Sequence, residues 1–163
     1  MASLNDKVVE YLQDAHAMEQ QVMRMLDSMI STTRDPEIRS MLEHHHEETV
    51  EHEERLSNRL NQLEKGTAQM KQTAAMMAAR GKGLLDAMRG DKPGRNARDG
   101  YVTEHLEIAA YELLERIAMK AGDTDTADIA KKNCLDEREM ARKLEANWDK
   151  FVEQTLSEEG ITA

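Results

Sequence analysis

Residues 43–52 carry the side chains best suited to chemistry in this chain. The stretch contains four of the six histidines together with four glutamates. Apolar residues recur at steps of three and four on both sides of it, a spacing that predicts a helix with one buried face. Continued through the stretch, the same spacing directs three positions toward the core: His45, Glu48 or Thr49, and His52.

Glutamates also interrupt the apolar seams of two other predicted helices. The seam over residues 8–29 contains Glu19, and the seam over residues 127–151 contains Glu137. A carboxylate in an apolar interior requires a proton, a counter-charge or a metal ion, because its desolvation is costly. These two acids are therefore candidate site residues.

The predicted helical hairpins bring these acids to matching levels. In an antiparallel pair of helices, residues equidistant from the connecting loop lie side by side. This geometry places Glu19 opposite Glu48 in the first hairpin. In the second hairpin it places Glu107 opposite Glu137. We therefore expect four carboxylates to meet in the middle of a helical bundle.

A dinuclear metal site is the chemistry that this pattern predicts. Four carboxylates at one level repel one another unless cations bind or several of them are protonated. Bundles hold two divalent ions with glutamates and histidines from facing helices. Imidazole suits iron, manganese or zinc, while carboxylate oxygens suit iron and manganese. We predict two Fe or Mn ions, with Zn as an alternative, and His45 or His52, each one turn from Glu48, as the imidazole ligand.

Four helices must position these residues. The sequence predicts helices at about 4–32, 36–65, 97–121 and 124–157. The links within the first pair and within the second pair are too short for anything but antiparallel hairpins. A long crossover with short helices, at about residues 67–96, joins the two hairpins. The predicted fold class is all-α: a ferritin-like four-helix bundle forming a single domain over residues 1–163.

Composition narrows the range of partners. The formal net charge of −10 argues against a basic surface for nucleic acid or anionic membrane. No apolar run approaches the roughly 18 residues of a membrane span. The single Cys134 excludes an internal disulfide framework and is compatible with a reducing compartment. We expect a soluble cytoplasmic protein whose partners are divalent metal ions and a second copy of the chain, as a homodimer.

Short motifs in a fixed order carry a family resemblance. They are Asp14 and Glu19 in the first helix, His45 with Glu48-Thr49 in the second, the block Glu104 to Tyr111 in the third, and Asp136-Glu137 in the fourth. Over most of its length the chain resembles the YciE/YciF group of bacterial ferritin-like proteins. The resemblance implies a ferritin-like bundle, a dinuclear metal site and a link to bacterial stress responses. It also implies five carboxylate ligands: Glu19, Glu48, Glu104, Glu107 and Glu137.

The chain departs from the general ferritin-like pattern, in which a histidine follows a ligating glutamate by three residues. Glu48 is followed at that spacing by Glu51, and Glu137 by Met140. One metal site is therefore incomplete, or His45 or His52 completes it.

Two functions remain open at this point. The first is a redox-active metalloprotein that reacts with peroxide or oxygen, as a peroxidase, a catalase or a ferroxidase does. The second is a non-enzymatic stress protein that uses a metal for structure or storage, or uses none, and acts by self-association.

Overall fold

The structure, a computed structural model, describes residues 3–64 and 93–161. These residues form five helices and no strand. In chain order the helices are α1 (Leu4–Thr32), α2 (Pro36–Glu64), α3 (Pro93–Ala121), α4 (Thr124–Ala146) and α5 (Trp148–Glu158). Most of the crossover predicted at 67–96 lies outside the described residues.

Two tight turns create the antiparallel hairpins. Asp35 caps α2 by accepting hydrogen bonds from two backbone N–H groups of its first turn, and Pro36 occupies the first helical position, where its missing N–H costs nothing. Gly122 ends α3 with a φ of +75°, a left-handed conformation that favours glycine. Asp123 then caps α4. Because each turn reverses the chain at once, α1 lies against α2 and α3 lies against α4.

The start of α3 differs from the sequence prediction. The helix begins at Pro93 rather than near residue 97, so the last residues assigned to the crossover are helical. Proline is favourable in the first turn of a helix because its fixed φ suits that position. The neighbouring Gly94 N–H donates to the Thr155 hydroxyl at 2.9 Å, and this hydrogen bond links the first turn of α3 to α5.

The helix predicted at 124–157 is divided in two. At Asn147 the backbone leaves the helical conformation (φ −112°, ψ 13°), and the side-chain amide donates to the Lys143 carbonyl at 2.8 Å. After this break α5 packs against α3, where the Trp148 and Tyr101 rings lie 5.5 Å apart. The break contains no glycine or proline, so the spacing of apolar residues predicted one continuous helix across it.

Two large apolar layers lie on either side of a polar middle, and Val8, Ala118 and Ala127 form a third, smaller apolar cluster. One layer includes Leu12, Leu56 and Leu114, and the other includes Val22, Leu26 and Met140. The buried acids and histidines lie between these layers. In the bundle α1 also packs against α3, and α2 packs against α4, so all four long helices face the middle.

A membrane crossing needs a helix that is both long and strongly apolar, and none of the helices in 3–64 and 93–161 meets this requirement.

Candidate metal centre

Six of the seven predicted ligands meet in the middle of the bundle. Each has at most 1% of its surface exposed. Helix α1 supplies one glutamate, α2 both histidines, α3 two glutamates and α4 one glutamate. They are Glu19, His45, His52, Glu104, Glu107 and Glu137.

These six side chains form two groups that share one member. The group that we call the first half consists of His45, Glu104, Glu107 and Glu137. The second half consists of Glu19, His52 and Glu137. Within each half, one nitrogen or oxygen atom from every member lies within 4.8 Å of the others, close enough to hold a metal ion.

Glu137 links the two halves through its two oxygens. Its Oε2 lies 3.4 Å from His45 Nε2, and its Oε1 lies 2.8 Å from His52 Nδ1. The carboxylate therefore faces one imidazole with each oxygen. If each half held an ion, both halves would share Glu137 as a ligand residue.

Unpartnered donor atoms show that this group of residues fits metal ions. In the described part of the chain, nine buried side-chain nitrogen or oxygen atoms have no hydrogen-bond partner, and eight belong to these six residues. They include both oxygens of Glu107 and of Glu137, Nε2 of His45 and Nδ1 of His52. Buried polar groups in folded proteins are nearly always hydrogen-bonded, so a cluster of eight buried atoms that form no hydrogen bond is one that could hold a metal ion.

Each of the two histidines has a carboxylate within hydrogen-bond distance of the ring nitrogen that points away from the centre. Glu48 Oε2 lies 3.2 Å from His45 Nδ1, and Asp136 Oδ2 lies 3.0 Å from His52 Nε2. A carboxylate accepts a hydrogen bond from the ring N–H that faces it, so the proton stays on that nitrogen and the opposite nitrogen can bind a metal. The free nitrogens, His45 Nε2 and His52 Nδ1, both point into the centre.

Glu48 is the one predicted ligand that the structure leaves outside both halves. Its side chain is 21% exposed, and its second oxygen lies 3.3 Å from Nε2 of the exposed His44. At the neighbouring position Thr49 is fully buried instead. Of the two alternatives in the sequence pattern, Thr49 occupies the inward position and Glu48 supports His45.

A comparison with known protein families identifies the family of this chain. The family described as a domain of unknown function, DUF892, matches residues 3–157. The chain belongs to the DUF892 family. The match spans all of the residues that form both halves of the centre.

Solved structures share the fold of this DUF892 protein. A protein of Xanthomonas campestris pv. campestris is 28% identical, with a TM-score of 0.80, and the match covers 98% of this chain and 100% of that one. The Escherichia coli stress protein YciF is 20% identical, with a TM-score of 0.74 over 94% and 99% of the chains. A Rhodopseudomonas palustris protein named YcfI is 24% identical, with a TM-score of 0.68 over 88% and 94%. The predicted ferritin-like bundle and its resemblance to YciF are confirmed.

Burial shifts three acids of the centre, Glu19, Glu107 and Glu137, toward their neutral forms. Desolvation raises the pKa of Glu107 well above its ordinary value, and the charges of Glu137, Glu19 and Glu104 raise it further. Burial also raises the pKa of Glu19. Desolvation raises the pKa of Glu137 to about 7, although the two histidines oppose this shift. Without cations, the centre therefore retains protons at neutral pH.

The histidines are shifted toward their charged forms. Burial lowers the pKa of His52, but the adjacent carboxylates of Glu137 and Glu19 outweigh burial and bring it to about 10. The pKa of His45 is also raised well above its usual range, because Glu104, Glu48 and Glu137 outweigh its desolvation. The negative charge of the centre is thus strong enough to hold protons on both imidazoles.

A chain of hydrogen bonds reaches Glu19 from the side of α2 and α4. The Tyr111 hydroxyl donates to Glu19 Oε1 and accepts a hydrogen bond from Asn133 Nδ2 at 3.0 Å. Asn133 Oδ1 in turn accepts from Arg55 at 2.8 Å. The roles of Asn133 and Arg55 were not predicted from sequence. A buried asparagine beside Cys134 on the seam of α4 was the available signal.

The other four histidines lie away from both halves. His16 Nε2 lies 2.7 Å from Glu53, and His46 Nε2 lies 3.2 Å from Asp27. His44 contacts Glu48 as described above. His105 is exposed, and its ring packs edge-on against Tyr101 at 4.5 Å.

Proposed function

We propose that this protein binds two divalent metal ions, iron or manganese, at the centre formed by the first and second halves. The eight unpartnered donor atoms carry this proposal. Four ionised glutamates, Glu19, Glu104, Glu107 and Glu137, would contribute a formal charge of −4, which two divalent ions neutralise.

The donor set favours iron or manganese over zinc. The first half offers three carboxylates and one imidazole, and the second half offers two carboxylates and one imidazole. Oxygen-rich sets with a single histidine suit iron and manganese, whereas structural zinc sites usually contain cysteine or several histidines. Cys134 belongs to neither half. Zinc remains the alternative occupant.

The reaction that best fits this centre is reduction of peroxide to water, or of oxygen to peroxide, as part of a bacterial stress response; either would take two protons from solvent and one electron from each of two bound Fe(II) or Mn(II) ions. Bound iron or manganese supplies the electron-transfer chemistry. The protein supports it with apolar layers above and below, which exclude bulk water. Glu137 holds the two halves together, and Tyr111 fixes the orientation of Glu19. The stress assignment rests on the fold shared with the Escherichia coli stress protein YciF.

A non-enzymatic stress protein is the second candidate, and one observation favours it. Because the pKa of His52 is about 10, protons on the imidazoles can balance part of the buried charge without any metal. In that case the centre would hold the bundle together, and the protein would act by self-association. A homodimer is our proposed assembly in both cases.

Metal content measured by mass spectrometry tests the proposal. Protein purified without a tag is loaded anaerobically with Fe(II) or Mn(II) and freed of excess ion. We expect two ions per chain, and then consumption of added peroxide or oxygen. Glu19→Ala should retain one ion, whereas Glu47→Ala, an exposed change on α2, should retain two.

The possible outcomes separate the two candidates. Two bound ions without turnover would favour the structural or storage role. Metal at background level in the unaltered protein would overturn the metal proposal altogether.

A further inference from the structure

Arg55 of α2 contacts Asn133 and Asp136, the two residues whose hydrogen bonds lead to the second half. Its NH1 group donates to Asn133 Oδ1 at 2.8 Å and lies 3.9 Å from Asp136 Oδ2. Its NH2 group pairs with the exposed Glu51 at 2.5 Å. Arg55 itself is 20% exposed and touches none of the six inner residues through these contacts.

The first branch from Arg55 leads to Glu19. Arginine only donates hydrogen bonds, so the Asn133 side chain must turn its oxygen toward Arg55 and its NH2 group toward Tyr111. The Tyr111 oxygen accepts from that NH2 group, and its own proton is directed to Glu19 Oε1. Glu19 Oε1 is therefore held by Tyr111 and lies 3.5 Å from His52 Nδ1, whereas Oε2 is buried without a hydrogen-bond partner.

The second branch leads to His52. The positive guanidinium of Arg55 lies close to Asp136, whose carboxylate faces His52 Nε2 at 3.0 Å. This contact favours an imidazole that carries its proton on Nε2 and presents Nδ1 to the centre. Behind the first half, the contact made by Glu48 within residues 3–64 and 93–161 is with His44 rather than with an arginine.

We propose that Arg55 is a positioning residue for the second metal ion. Through Asn133 and Tyr111 it fixes the orientation of the Glu19 carboxylate, and through Asp136 it fixes which nitrogen His52 offers. The first half does not depend on it. This inference rests on the proposed function, because it assigns a role toward the second of the two ions.

A neighbouring arginine provides a matched control. Arg59 lies one turn later on α2, is 13% exposed and also bonds to the α3–α4 hairpin, through Asp123 and Thr126. Its hydrogen bonds to residues in 3–64 and 93–161 go to Gln62, Asp123, Asp125 and Thr126, and none of these bonds leads to Glu19 or His52. Replacing Arg59 therefore removes a comparable link between helices without disturbing either branch.

The experiment is calorimetric titration of the metal-free protein with Mn(II), together with metal content and thermal melting, for Arg55→Met and Arg59→Met. In Arg55→Met we expect the first ion to bind with unchanged affinity and the second to bind about 10- to 100-fold more weakly. In Arg59→Met we expect both affinities to stay the same, although the melting temperature falls. Arg55→Lys keeps a cation without the forked geometry, so its second ion should bind with intermediate affinity.

Several outcomes would overturn the inference. An unchanged second affinity in Arg55→Met, or an equal loss for both ions, would show that Arg55 only links helices. If Arg55→Met does not fold, Arg55→Lys decides, and two unchanged affinities in it would contradict the proposal. If the unaltered protein bound no ion, the proposed function itself would fail, a result distinct from failure of the Arg55 role.

Discussion

The two halves of the centre follow one plan but differ in their supply of ligands. Each has one imidazole, a carboxylate behind that imidazole and a share of Glu137. The first half adds two glutamates from α3, whereas the second adds only Glu19 from α1. One oxygen of Glu19 is also committed to Tyr111.

From this difference we expect the two proposed ions to bind their halves with unequal strength. The first half offers four residues within reach of one ion, and both oxygens of its Glu107 are unpartnered. The second half offers three residues and depends on the outer hydrogen bonds to orient two of them. We expect the first half to fill before the second, and the following predictions test how far the halves are independent.

The largest effect is expected at the residue that both halves share. Replacing Glu137 with Ala removes one ligand from each half, so both ions should be lost from the purified protein at micromolar free metal. Metal content by mass spectrometry checks this. Glu139→Ala changes an exposed residue half a turn away on the same helix and should retain both ions. A Glu137→Ala protein that kept one ion would show that one half is complete without the shared carboxylate.

The fold was predictable because its signals are local. Asp35 with Pro36 starts a helix, Gly122 ends one, and seams with steps of three and four mark the inward faces. The same spacing could not choose between Glu48 and Thr49, because neighbouring positions on a helix differ by only about 100° and the rotation of each helix is set by packing. Thr49 faces inward, and Glu48 stands behind His45.

The contacts of Arg55, Asn133 and Asp136 around the centre could not be predicted from the sequence. Arg55 and Asn133 are 78 positions apart in the chain and meet only because α2 packs against α4. Arginine is long and flexible, so no spacing rule reveals which partner it reaches. Asp136 was visible as a neighbour of Glu137, but its role behind His52 depends on the side-chain geometry between helices.

A second prediction concerns protons in the metal-free protein. The pKa of His52 is about 10 in the folded protein, against about 6.5 in an unfolded chain. The pKa of Glu137 is raised to about 7. In both cases the folded state holds protons more tightly than the unfolded state, so stability must fall as pH rises from about 5 to 10. We expect the melting temperature of the metal-free protein to drop by more than about 5 °C over this range.

Metal loading and two substitutions show how much each half contributes to this pH dependence of the melting temperature. With two ions bound, the melting temperature should change much less with pH, because metal replaces the protons. His45→Gln and His52→Gln should each remove part of the pH dependence in the metal-free protein. If one of them removed all of it, only that half would hold a proton, and the halves would not be equivalent.

The smallest effect is expected at the carboxylates behind the histidines. Asp136→Asn and Glu48→Gln keep the shape of the side chain but remove the charge that orients each ring. Each should therefore lower the affinity for one ion by about 10-fold, the smaller of the losses usual when a residue behind a metal ligand is changed. Asp136→Asn should affect the second ion, because Asp136 faces His52, and Glu48→Gln should affect the first, because Glu48 faces His45. Calorimetric titration resolves the two steps. If either substitution weakened both ions equally, the shared Glu137 would couple the halves too tightly for them to be treated as separate sites.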